Sequence, residues 1–135
     1  MRTCGARVLN IELNYTRGDF TLAAQTAIGA GVTGICGASG AGKSTLLALL
    51  AGLLRPQAGT LHCDGELLID VERRVFVPAW QRHFGLVFQE GRLFPHLSVR
   101  DNLLYGWRTL APAQRHFTLD AVTAMLEIGA LLARR

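Results

Sequence analysis

The run Gly37-Ala38-Ser39-Gly40-Ala41-Gly42-Lys43-Ser44 has the residue types and spacing to hold phosphate. It fits the pattern G-x-x-x-x-G-K-[ST] at every fixed position. Its glycines let the backbone curl so that successive N–H groups point inward at phosphate oxygens. A helix beginning near Lys43 adds the positive end of its dipole to the same spot. Lys43 is a compact charge for the β- and γ-phosphates, and the Ser44 hydroxyl is a hard oxygen ligand for Mg²⁺. Lys43 is also the one lysine among the 14 Lys and Arg residues. A second candidate, Gln89, directly follows the apolar run Phe84–Phe88. A polar side chain at the end of a parallel strand faces the crevice where ligands bind in open α/β sheets. There it would reach Mg²⁺ or an attacking water.

These groups need elements to position them. Leu9, Ile11 and Leu13 alternate with Asn10, Glu12 and Asn14, the period of a half-buried strand. Phe20 to Ile28 reads as a second strand after a Gly18-Asp19 turn. Gly31 to Cys36 reads as a short buried strand feeding the glycine run, and Lys43 to Leu54 as a buried helix ended by Arg55-Pro56 and Gly59. Asp64-Gly65 between Thr60–Cys63 and Glu66–Asp70 is a hairpin signal. Phe84 to Phe88 reads as another strand. Ser98 with Asp101 three residues on predicts a helix start, Pro112 interrupts, and Thr118 to Ile128 has helical spacing. Strands mixed with helices predict an α/β fold.

The glycine run extended to Thr45 (GASGAGKST) resembles the Walker A motif of ABC-transporter ATPases, and the chain is identified as similar to that family along essentially its whole length. Phe84 to Gln89 resembles the family's Q-loop, and Leu93 to Val99 the importer segment after it. Arg55 to Gly59 and the Asp64-Gly65 turn sit where the family places them. The string QEGRLFPHLSVRDNLLYG, Gln89 to Gly106, is closest to the molybdate-importer ATPases, while sulfate, iron and polyamine importers carry similar strings.

The resemblance implies a P-loop-type parallel sheet core with an N-terminal antiparallel β subdomain, residues 1–135 being the N-terminal half of an ATP-binding domain. It implies that Gly37, Ala38, Ser39, Gly40, Ala41, Gly42, Lys43, Ser44 and Thr45 hold the phosphates of ATP. Ser44 and Gln89 would ligate Mg²⁺, and Lys43 and Gln89 would serve catalysis, with Gln89 sensing the γ-phosphate and the permease. Tyr15 lies near the family's adenine-stacking aromatic, with Phe20 as the alternative. Phe94, Pro95 and His96 would lie near the surface that meets a membrane permease. A second ATPase subunit would complete the ATP site in the full-length protein, and a periplasmic or extracellular binding protein would act indirectly. The place of work would be the cytoplasmic side of the bacterial inner membrane, peripherally bound.

The 135 residues contain no LSGGQ-type signature, no apolar strand ending in Asp-Glu and no switch histidine after it. Asp101, Asp120 and Glu127 fall in predicted helices and are poor replacements. The expectation is therefore weak ATP binding, negligible turnover, and apolar surface left bare where later parallel strands would pack. The alternative is a catalytically inactive nucleotide-binding fragment or regulatory module acting with a partner. A GTPase is excluded because a guanine reader of the N-K-x-D type needs a second lysine. A small-molecule kinase would need lid arginines; Arg73, Arg74 and Arg82 read instead as solvated charges beside the hairpin.

Half the residues are hydrophobic, 18% are charged and the formal net charge is +4, so the chain has a real core and lacks a nucleic-acid signature. The longest aliphatic run, Leu46 to Leu54, is about half of the roughly 20 residues a bilayer requires. Met1 to Gly5 is not followed by the apolar stretch of a signal peptide. Cys4, Cys36 and Cys63 are widely spaced and odd in number, which fits a reducing compartment, and His62 beside Cys63 reads as strand surface.

Overall fold

In a computed structural model, residues 8–134 are described. Met1 to Gly5, with Cys4, and the final Arg135 lie outside them. The chain forms two compact units, Met1–Val87 and Phe88–Arg135.

The first unit is built on five antiparallel strands: β1 (Leu9–Arg17), β2 (Phe20–Ile28), β3 (Ala58–Cys63), β4 (Glu66–Asp70) and β5 (Val75–Phe76), in the order β2-β1-β3-β4-β5. The period-two pattern of β1 is realised: Ile11, Leu13 and Tyr15 are buried, and Asn10, Glu12 and Asn14 are exposed. Leu13 pairs with Ala24 and Tyr15 with Leu22, so the partly buried Phe20, Leu22 and Ala24 of β2 share that face. The Asp64-Gly65 turn joins β3 to β4 with both residues at positive φ, +52° and +79°, as a two-residue hairpin that follows the strand twist requires.

Helix α1 (Lys43–Leu50) lies in the chain between β2 and β3, and its Leu49 and Leu50 join Leu61, Leu68 and Ile69 in the core. It is shorter than the leucine pattern suggests. Gly52, at φ +78°, ends it in a Schellman turn: Leu53 N–H donates to Ala48 O (2.9 Å) and Gly52 N–H to Leu49 O (3.1 Å). The stop is therefore Gly52, ahead of Arg55-Pro56 and Gly59.

Two expected strands are absent as ladders. Gly31 to Cys36 and Phe84 to Phe88 have no strand assignment, and Val32 (105%) and Val87 (95%) are fully exposed. A parallel strand exists only through hydrogen bonds to a neighbour. Among the described residues every strand of the sheet pairs antiparallel with another of the five, and neither segment is a member of it. The α/β class and the antiparallel N-terminal sheet stand. His62 is half-buried on β3, while Cys63 turns into the core.

In the second unit, α2 (Val99–Thr109) starts at Ser98, whose Oγ accepts from Asp101 N–H (3.1 Å), as its spacing predicts. Pro112 begins a 3₁₀ turn, Pro112–Gln114, and α3 (Leu119–Met125) follows with Thr118 as its N-cap. The pattern suggested continuation to Ile128, but Glu127 adopts φ +56° and stops the helix early. Among the described residues no helix is long and apolar enough to cross a membrane.

Candidate nucleotide phosphate site

The glycine run of the first unit forms an open loop between the end of β2 and the start of α1. Ala41 N–H donates to Ala38 O (3.2 Å), and Gly40 and Gly42 take φ values of +81° and +93°. Gly42 has a spatial reason too: a Cβ there would lie 2.8 Å from Phe20 Cζ and 3.2 Å from Leu22 Cδ1. A side chain there would have to push the Phe20 ring aside, and it would be strained at this φ.

The first α1 hydrogen bond is Leu46 N–H to Gly42 O (2.8 Å). The amides of Lys43, Ser44 and Thr45 precede it, at the helix end that carries positive partial charge. No side chain caps this end and no acidic residue lies in its first turn, so nothing competes with an anion there. Lys43 Nζ donates to Gly37 O (2.8 Å) and Ala38 O (2.7 Å), holding the ammonium against the loop. Ser44 is exposed on the first turn and Thr45 is half-buried. Oriented amides, one ammonium and one hydroxyl suit a phosphate group with Mg²⁺, so the residues present fit both.

The two aromatic candidates separate. Tyr15 is a core residue, 8% exposed, on the inward face of β1. Its ring packs in the core of the first unit. Phe20, half-buried, is the aromatic beside the glycine loop.

Arg82 also departs from its sequence reading. It is 2% exposed, unlike a solvated charge. Nε donates to Val77 O (2.7 Å), and Nη1 donates to Leu49 O (2.9 Å) and Leu50 O (2.8 Å) at the end of α1. Its guanidinium lies 4.8 Å from the Phe76 ring centroid. Burial lowers its pKa from the usual arginine value. Polar neighbours on either side, Gln81 and His83, conceal this role in the sequence.

In the second unit, Gln89 is exposed in a bend. Phe94 stacks on Tyr105 (4.5 Å between centroids) and lies 5.9 Å from His96, while Pro95 and His96 are exposed. Asn102, missed in the sequence, pins this loop to α2. Its Oδ1 accepts from Phe94 N–H (2.7 Å), and its Nδ2 donates to Phe94 O (3.1 Å), Leu97 O (3.3 Å) and Ser98 O (3.0 Å). An asparagine inside a helix, where its propensity is poor, is the signal that could have revealed it.

Residues 25–135 match the sequence profile of the family described as ABC transporter. The chain is 42% identical over 128 residues to the molybdenum import ATP-binding protein ModC of Mesorhizobium japonicum, covering 94% of this chain and 34% of that protein. It is 46% identical over 127 residues to the protein of that name from Rhizobium etli, covering 93% and 36%. For the one from Yersinia pestis bv. Antiqua the identity is 42% over 127 residues, covering 92% and 34%. The chain thus spans about a third of the length of the curated relatives it matches.

Proposed function

Because this chain belongs to the ABC transporter family, we propose that it is the ATP-binding portion of an importer ATPase that couples ATP binding and hydrolysis to uptake of molybdate. The carrying observation is the glycine loop closed by Lys43 at the uncapped start of α1. The relatives' name, molybdenum import ATP-binding protein, supports the cargo.

In this reading the Lys43 ammonium leaves the Gly37 and Ala38 carbonyls for the β- and γ-phosphate oxygens of ATP. The amides at the start of α1 hold the same oxygens. Ser44 Oγ would be a ligand for Mg²⁺, which would neutralise charge developing on the phosphates, and the family resemblance gives Gln89 the same role. Phe20 takes the adenine-stacking role. The loop of Phe94, Pro95 and His96 meets the permease, a second ATPase subunit closes the site, and the binding protein acts through the permease. The assembly works at the cytoplasmic face of the bacterial inner membrane.

Positioning a water and removing its proton needs a base, and residues 1–135 supply no candidate for it. Binding without turnover by this chain, with the missing groups donated by a partner, is the second reading that this favours.

Titration of the full chain with ATP and Mg²⁺ tests the first part. Binding should be measurable and should disappear in Lys43→Ala, with no Lys43-dependent phosphate release. Equal binding by the variant would remove the cradle from the account, and Lys43-dependent hydrolysis would overturn the lack of turnover. For the cargo, cells deprived of this gene should lose molybdate uptake and keep sulfate, iron and polyamine uptake.

A further inference from the structure

Helix α1 has eight residues and about 12 Å of length, too short to be stable alone in water. It is held by the packing of Leu49 and Leu50 in the core and by what is bonded to its ends. The start faces the glycine loop. The other end leaves carbonyls unpaired within the helix, and it has no basic residue of its own in the last turn. Arg82 supplies both needs from another part of the chain. One nitrogen takes the Leu49 and Leu50 carbonyls, and the positive charge sits where the helix dipole is negative. The Nε bond to Val77 O fixes the guanidinium from the far side, so the helix end is tied to the backbone leaving β5. Gly52 leaves the space in which the guanidinium lies.

We propose that Arg82 is a positioning residue for nucleotide: it touches no phosphate, and it sets ATP affinity by holding α1 in register from the end opposite the cradle. This rests on the nucleotide reading given above. A phosphate at the start of α1 and Arg82 at its end are two stabilisers of one short helix. Each makes the helix more fully formed for the other, and such coupling is reciprocal. The consequence runs both ways. Loss of Arg82 frays the helix and spreads the amides that hold phosphate. ATP in the cradle tightens the bonds around Arg82.

The test is ATP titration of the full chain by calorimetry, scored per folded molecule, for wild type, Arg82→Met and Arg82→Lys. Methionine keeps the apolar stem and loses the donors; lysine keeps the charge and cannot span both the Leu49–Leu50 pair and Val77. Affinity should fall about tenfold for Arg82→Met and less for Arg82→Lys. A residue with a merely structural role would lower the melting temperature and leave the affinity of the folded fraction unchanged, and that result overturns the proposal. Amide exchange on the wild type keeps it testable if Arg82→Met does not fold. Saturating ATP should slow exchange at Ala51, Gly52 and Arg82 several-fold, and unchanged rates would defeat the idea. Failure of the wild type to bind ATP at all would overturn the nucleotide reading and this inference together; wild-type binding with an unaffected Arg82→Met overturns this inference alone.

Discussion

Gly52 and Arg82 occupy one space. A Cβ on residue 52 would lie 2.7 Å from Arg82 Nε and 2.8 Å from its Cζ, and Gly52 is also at φ +78°, where only glycine is at ease. Gly52→Ala therefore carries two penalties, the left-handed backbone and a displaced guanidinium. Together they should destabilise the first unit by about 2–3 kcal/mol. The midpoint of urea unfolding should fall accordingly. An unchanged midpoint would mean that Arg82 moves aside without cost.

Asn102 makes four bonds to the backbone of the segment from Phe94 to Ser98. Asn102→Ala removes them all. Hydrogen exchange at the Phe94 amide should accelerate by about tenfold, the worth of one to two net hydrogen bonds. Asn102→Asp should give no rescue, because its carboxylate would face the carbonyls of Phe94, Leu97 and Ser98 with acceptors only. Protection of Phe94 in the aspartate variant equal to wild type would count against this assignment.

The start of α2 should respond to acid. The Ser98 hydroxyl, first, and the Arg108 guanidinium hold the Asp101 carboxyl below its usual pKa. A carboxyl whose folded pKa is depressed contributes stability above its unfolded value, near 3.9, and loses it as pH falls through the folded value. Helix content followed by circular dichroism should therefore drop on acidification below about pH 4, and Asp101→Asn should flatten that drop. A profile identical in the variant would assign the acid response to other groups.

The sequence made the local features readable, because each depends on neighbours in the chain. The alternation of Leu9, Ile11 and Leu13, the Asp64-Gly65 turn, the Ser98 cap and the glycine loop all appear where residue type and spacing place them. Features set by distant residues were hidden. Arg82 is buried because α1, more than thirty positions earlier, offers it two carbonyls. Phe20 lies beside Gly42 because the fold brings the start of β2 against the glycine loop, more than twenty positions later in the chain. Gly31 to Cys36 has the composition of a strand, but composition creates no ladder without a partner.

The two segments outside the sheet have a consequence in solution. Val32, Ile35 and Val87 are exposed there, at 105%, 37% and 95%, while Phe88, at 39%, has the Arg92 guanidinium 3.9 Å from its ring centroid. Exposed apolar side chains grouped in short stretches favour contact with other apolar surface. Residues 31–36 and 84–88 are therefore where the isolated residues 1–135 should self-associate. Light scattering of purified residues 1–135 should fall when Val32→Asp and Val87→Asp are combined, and equal scattering would remove these side chains from the account.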